Sequence, residues 1–496
     1  MATQRRTAMA TPCPKGSGVV GALAKPPHSL RLFWLLLMGC AVQAQTPSQG
    51  AFFRLVEQSR TAFTVQGDGA RAMGTGGAFI AIADDSTAVS YNPAGLAQLL
   101  KAEGSLVVQG QSRDLSFTGV TGQGPSSTTS FEDTHNQDRH VRPSFASFTI
   151  PWKRDGLNTV VLFSYQRLFD FAFDSSMNYL AKASGGSTTQ AIAQGIHQTG
   201  GVDLYSMAIG AELSQRILVG AALNAWHGHW NFQSTSSLQT SGISESFDSS
   251  LAQESSFRGL NFNAGVIWRS DWVNVGAVYR SPFQATYTYI DNYTYIDTSS
   301  GLPRTEASPS TSTEVKWPST LGWGIGLHLG SRVQVTTDWS ETKWSKATYS
   351  GPNGSLDRSN WFDYQINTVT PDVRDIHAGV ECILLDNETV VLPLRLGVFK
   401  EPQPTVDTRT LEQRVLRGWT VGLGLKFKQM TVDMAYRVAR DQRNASRYNT
   451  DAPVGGVSDT AFGTETLAER RFSTSLIYQF EAEKIRRALA WFLIGS

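Results

Sequence analysis

Fourteen stretches of alternating apolar and polar residues run from about Ser105 to Phe480, and the links between them are by turns short and long. In 416–428, Trp419, Val421, Leu423, Leu425 and Phe427 share one parity, against Gly418, Thr420, Gly422, Gly424, Lys426 and Lys428. After a turn near Gln429, Met430, Val432, Met434, Tyr436 and Val438 oppose Thr431, Asp433, Ala435 and Arg437. Side chains in a strand alternate between faces, so each set lines one face. Short links at Lys153–Gly156, Ser214–Gln215, Ser270–Asp271, Gly330–Ser331, Asp386–Thr389 and Gln429 alternate with long ones at about 119–142, 174–200, 235–255, 289–312, 350–370, 402–415 and 443–467. An even number of strands, one apolar face and turns of two kinds predict an all-β fold: a 14-stranded antiparallel transmembrane β-barrel in the outer membrane, against lipid on one side and a lumen on the other. A soluble sandwich or propeller would alternate too. The long strands and the absence of a blade-length repeat count against it.

Local irregularities give finer expectations. The alternation of 216–233 blurs near Asn224, which suggests a bulge. Pro393 cannot donate to a ladder, so that strand is expected to begin just after it. Trp152, Trp226, Trp230, Trp268, Trp317 and Trp339 are read as interfacial girdle residues. Cys382 shares the apolar face of Ile376, Ala378 and Val380 and is read as a small hydrophobe.

Hydrophobic residues make up 41% of the 496 and the mean hydropathy is −0.21. This suits a wall in which only alternate residues meet lipid. No apolar run reaches the roughly 20 residues of a spanning helix. Residues 1–44 read as a secretory leader: Arg5, Arg6, Lys15, Lys25 and Arg31 precede the apolar run 32–38, and Val42-Gln43-Ala44 offers a cleavage site. Leu37-Met38-Gly39-Cys40 is a competing lipobox-like reading that would lipidate Cys40. Cleavage removes those basic residues and turns the net charge of +1 negative. No clustered basic face calls for a nucleic acid, and no cofactor motif stands in its required context.

Residues 67–97 fit no wall strand. A Gly-rich backbone leads into a short apolar run, then Asp84-Asp85 and a helical turn over 86–91. Either aspartate can cap that turn, and the pair can also be read as metal ligands. Pro93 stops the turn at Asn92. The Gly67-Asp68-Gly69-Ala70-Arg71-Ala72 stretch matches a loose dinucleotide fingerprint but lacks its strand–helix setting. His227 and His229 share a face, without a third ligand. The Ser-rich loops hold no Ser with a positioned His and acid, so no enzyme is read here.

Gly69-Ala70-Arg71-Ala72, Gly76-Gly77-Ala78-Phe79, Ala83-Asp84-Asp85 and above all Asn92-Pro93-Ala94 resemble the N-terminal segment of the FadL/TodX family of outer-membrane transporters for long-chain fatty acids and aromatic hydrocarbons. Gly276–Ser281, Asp338-Trp339-Ser340, Trp344-Ser345 and Val432–Tyr436 extend the likeness along the chain. The resemblance implies that residues 45–100 form a hatch inside the barrel of 101–480, with 481–496 as an extension. It assigns the hatch motif to Gly76, Gly77, Asp84, Asp85, Asn92, Pro93 and Ala94. It further implies a monomer that captures a hydrophobic small molecule at its loops and releases it into outer-membrane lipid beside a kinked third strand. That strand, about 157–173, has no glycine to mark a kink.

Within it, Arg167, Phe169, Phe171 and Phe173 share one parity. They read either as a ligand site, with Arg167 on a carboxylate, or as a lipid-facing girdle with a snorkelling Arg. Arg280, Arg395 and Arg437 project from polar faces. Each can meet a ligand carboxylate or pair with an acid across the lumen. The alternative to uptake is a non-transporting barrel that docks a secretion or surface-attachment partner.

Overall fold

A computed structural model describes residues 67–119, 122–123, 127–131, 133–154, 157–183, 189–241, 246–297, 302–350, 356–357, 370–406, 410–448 and 460–481. The expected leader, Cys40, the first part of the hatch and the tail 482–496 lie outside the described residues. Among the described residues, fourteen antiparallel strands form one closed wall. They are β1 (Glu103–Gly119), β2 (Thr134–Arg154), β3 (Leu157–Asp170, resuming as Phe173–Ala183), β4 (Thr189–Ser214) and β5 (Ile217–Thr240). Then come β6 (Ser246–Arg269), β7 (Val273–Arg280, resuming as Phe283–Asp297), β8 (Thr311–Trp317, resuming as Thr320–Leu329) and β9 (Val333–Thr342). The wall ends with β10 (Val373–Asp386), β11 (Val390–Val406), β12 (Gln413–Phe427), β13 (Met430–Tyr448) and β14 (Thr460–Gln479). Each strand pairs with the next, and β1 pairs with β14 from Glu103 opposite Gln479 to Gly119 opposite Gly463. Closure of β1 on β14 joins the two ends of the sheet, which is what lets strands cross a bilayer.

The outward parity is apolar and exposed, as at Met207, Leu223, Leu260, Phe262, Trp323, Leu396 and Trp419. The inward parity carries Gly and polar residues. On β10–β14 and β1 the inner face is ionic. Arg437 donates to both Glu401 oxygens (2.9 and 2.7 Å), Arg395 bridges Glu381 and Asp433, and Arg113 and Arg471 flank Glu469. Such pairs, bidentate at Arg437–Glu401, offset charges that are held away from bulk water. On β3 and β5–β8 the inner face also carries buried aromatic rings.

Several expectations change. There is no bulge at Asn224: β5 pairs without a register shift there, and Asn224 points inward among polar partners. The strand β11 starts before Pro393, not after it. The ladder gives way instead, with a shift between Ile383 and Leu385 opposite and no partner for Pro393 on β12. Trp226, Trp230 and Trp317 are not girdle residues but are buried inside, whereas Trp152 and Trp268 are exposed outside. Asn224, Trp226, Gly228 and Trp230 share the inward parity, so the wall's own alternation decides their side. Much of the expected loops 174–200, 235–255 and 289–312 is strand, because the hairpins continue pairing beyond the apolar belt.

Candidate functional site, an inner segment beneath an aromatic tier

Residues 67–100 lie against the inner face of the wall. Helix α1 (Ala70–Gly74) and helix α2 (Ala88–Tyr91) are short, and a 3-10 helix (Pro93–Gln98) follows with Pro93 at its first position, where a missing N–H costs nothing. Asn92 is fully buried and uses its whole amide. Its Oδ1 accepts the Ala94 N–H (3.1 Å), capping the 3-10 turn. Its Nδ2 donates to the Ile80 carbonyl (3.0 Å) and, on the wall, to those of Val266 (3.2 Å) and Ala277 (3.4 Å). Pro93 and Ala94 sit against the backbone-only rung at Gly220.

The rest of the motif is held as tightly. Gly76 turns with φ 73, and a Cβ there would stand 2.9 Å from the Ala378 and Val398 carbonyls. Gly77 lies with φ 86 over the His377 ring, whose Nδ1 is 2.6 Å from the Gly76 oxygen. The Asp338 carboxylate accepts the Phe79 and Ile80 N–H groups at 2.6 and 2.7 Å. Arg71 bridges Asp84 within the segment to Glu381 on β10. Neither aspartate caps α2, whose N-cap is Thr87 with no side-chain bond; Asp85 instead closes a turn just before it, accepting the Thr87 N–H at 2.8 Å and its hydroxyl at 2.5 Å. No cluster among the described residues can hold a metal. Burial pushes the Asp85 carboxyl up to about 6, against the pull of Arg71. Burial does the same to Asp68, also to about 6, although Ser144 donates to it.

Above this segment β3 and β5–β8 fill the lumen with an aromatic tier. Trp226 contacts Phe283 (ring centroids 4.9 Å) and Trp317 (5.3 Å); Phe169 packs on Trp317 (5.9 Å). Phe171 meets Trp230 (5.1 Å), which stacks on Tyr287 (5.7 Å). Between tier and segment lies a cavity of about 30 Å³, lined by Val89, Ser90, Asn224, Asn263, Arg280 and Ser281 among others.

The four residues singled out on the third strand do not stay together. A register shift between Arg167 and Phe169 breaks their shared parity. Arg167 pairs with Asp203 (2.9 Å) beside Tyr165 and Tyr205 on the outer side. Phe169 and Phe171 enter the aromatic tier, and Phe173 packs across the lumen with Phe399 and Leu115. Arg395 and Arg437 are paired with wall acids, as above. Sequence reading missed Trp226, Phe283, Tyr287 and Trp317, although all lie on the inward parity of their strands.

The third strand is interrupted at 171–172, and the cause is on its neighbour. Gly200 on β4 has φ 100 and accepts the Phe171 N–H (3.0 Å); a Cβ on Gly201 would stand 2.1 Å from the Phe169 carbonyl. Only glycine takes that backbone without strain. The ladder between β2 and β3 stops at Phe145 opposite Gln166. Past that point side chains span the seam: Asp170 takes His140 Nε2 (2.6 Å) and Arg142, and Asn136 accepts the Ser176 N–H (3.0 Å).

A closed antiparallel barrel with an apolar belt, and with chain folded inside it, is an outer-membrane β-barrel. The chain shares its fold with several solved structures. These include a Pseudomonas aeruginosa FadL homologue (TM-score 0.55, 15% identity, 85% of this chain and 99% of that one) and the P. putida toluene transporter TodX (0.54, 11%, 84% and 99%). The Ralstonia pickettii toluene transporter TbuX is a third (0.52, 13%, 84% and 100%). At such identities the likeness is one of fold. No protein-family profile and no curated relative matches the chain.

Proposed function

We propose that this protein is a monomeric outer-membrane channel for passive uptake of hydrophobic small molecules, long-chain fatty acids or aromatic hydrocarbons, with residues 45–100 as its hatch. The observation that carries the reading is the aromatic tier. A lumen for polar solutes would hydrate its inner face, whereas this one buries Trp226, Trp230, Phe283 and Trp317 inward, directly above the inner segment. Two solved structures of the same fold are the toluene transporters TodX and TbuX.

A hydrophobe captured at the loops enters the tier by displacing ring–ring contacts. Its downward path is blocked by Asn92–Ala94, whose bonds to Val266 and Ala277 fix the hatch to β6 and β7. Sideways, the unladdered seam between β2 and β3 offers the weakest part of the wall, held by Arg142–Asp170 and His140–Asp170. Lateral release there hands the ligand to lipid without crossing water, and the concentration gradient supplies the driving force.

The test is uptake of labelled oleate, and separately of toluene, by cells carrying the wild-type chain or the Asn92→Ala, Pro93→Ala variant. Uptake that changes in the variant supports a hatch-gated channel. No uptake of either probe by a folded barrel would move the reading to a partner-docking barrel.

A further inference from the structure

Resting on that uptake reading, we propose that the cavity between inner segment and aromatic tier is a binding site for an aromatic carboxylate, with Asn263 and Arg280 as its oxygen-binding pair. The argument begins at Trp226, whose indole N–H can only donate. It donates to Asn261 Oδ1 at 2.8 Å. Asn224 Nδ2 donates to the same oxygen (3.1 Å), and Ser206 donates to Asn224 Oδ1 (2.7 Å). With its oxygen fixed by Trp226, Asn261 turns its amide nitrogen onward, to Asn263 Oδ1 at 3.3 Å. The chain of amides is therefore polarised in one direction. It ends on Asn263 Nδ2, which has no acceptor among the described residues although Asn263 is 6% exposed.

Arg280 stands directly opposite Asn263 in the β6–β7 ladder and lines the same cavity. It donates through Nη2 to the Ser90 carbonyl (2.8 Å) and makes no ion pair among the described residues. Its counterparts differ: Arg395, Arg437 and Arg113 each meet a carboxylate. Arg280 and Asn263 thus turn donor N–H groups toward one cavity, and an incoming carboxylate can accept from both.

The apolar part of the ligand follows from what lies over the pair. Trp226 and Trp317 line the cavity with flat faces 5.3 Å apart between centroids, and Pro318 joins them. A ring slides in by parting that contact and stacks on the exposed indole. The bond from Arg280 to Ser90 makes the site report to the hatch, because Ser90 stands two residues before Asn92. A ligand that draws Arg280 away frees the α2 end of the segment.

The experiment measures binding calorimetrically to the full chain in nanodiscs, with 4-methylbenzoate, p-xylene and oleate as probes. Expected is tighter binding of 4-methylbenzoate than of p-xylene to the wild type. Arg280→Gln should weaken 4-methylbenzoate about tenfold or more while leaving p-xylene unchanged. Asn263→Leu should weaken it several-fold, and Arg280→Lys should keep part of the affinity. Heat-modifiable gel mobility checks that each barrel is folded. Equal affinity for 4-methylbenzoate and p-xylene, or indifference of 4-methylbenzoate to both Arg280→Gln and Asn263→Leu, overturns the proposal and leaves uptake standing. So does Arg280 dependence for oleate alone. No binding of any probe overturns both.

Discussion

Asn92 and Gly265 interlock: a Cβ on Gly265 would stand 1.9 Å from Asn92 Oδ1 and 3.2 Å from Pro93 Cδ. Asn92 cannot retreat, since Ala94, Ile80, Val266 and Ala277 hold its amide from four sides. The inner segment is thus seated on bare backbone of β6.

Gly265→Ala is therefore expected to unseat the segment while the wall stays closed. Overpacking of this kind costs about 1–3 kcal/mol. Single-channel recordings should show raised conductance, and cells should become more sensitive to bulky antibiotics. A variant as tight as wild type would mean that the segment does not block the lumen.

The seam of β3 depends on β4. Gly200→Ala places a Cβ 2.3 Å from the His229 carbonyl, at a φ of 100 that alanine avoids. Strain of about 1–3 kcal/mol should pull the chain out of the interrupted geometry. Hydrophobe uptake is expected to fall several-fold with gel mobility unchanged; undiminished uptake would separate the interruption from release.

The ionic clamp is testable by a double-mutant cycle. Arg71→Met leaves Asp84 and shifts Glu381 wholly onto Arg395. Removing one partner of a largely buried pair should loosen the segment, seen as faster labelling of a cysteine placed at Ser90. Glu381→Gln alone should loosen it less, and the coupling between the two should be about 1–3 kcal/mol. A coupling near zero would assign the anchoring to the Asn92 contacts instead.

Protons should tighten the same seat. Asp68 and Asp85 have carboxyls raised to about 6 by burial. A group whose folded value is raised gives stability that is fully present below its unfolded value, near 4, and is lost as pH rises through about 6. The segment should then be better protected at pH 4 than at pH 7.5, by on the order of 3 kcal/mol per carboxyl if each is fully released on undocking. Hydrogen exchange of 67–100 at the two pH values measures it, and equal protection would show that neither aspartate changes environment when the segment leaves.

The wall was legible because lipid and lumen impose a period of two that no local preference overrides, so Trp419–Phe427 reads correctly strand by strand. The inner segment was legible through Gly76, Gly77 and Asn92-Pro93-Ala94, each of which marks a tight backbone. The aromatic tier was not, because an indole suits a membrane interface as well as a lumen, and only strict parity from Asn224 assigns Trp226 and Trp230 to the inside. Arg167 misled for a different reason: its parity is reset by a shift whose cause, Gly200-Gly201, sits on another strand. A one-strand reading cannot contain that information.

The glycine rungs beneath the motif have a consequence for how such a barrel can diversify. At Gly220, Gly276, Gly379 and Gly397 the wall meets the inner segment backbone to backbone, so these rungs have no side chain to exchange. The tier above is made of replaceable rings and amides. Substitutions that reshape the lumen in descendants of this sequence should therefore accumulate at positions such as Trp226, Asn263, Phe283 and Trp317, while the glycine floor stays fixed, in the way an interchangeable die is mounted on a permanent bed.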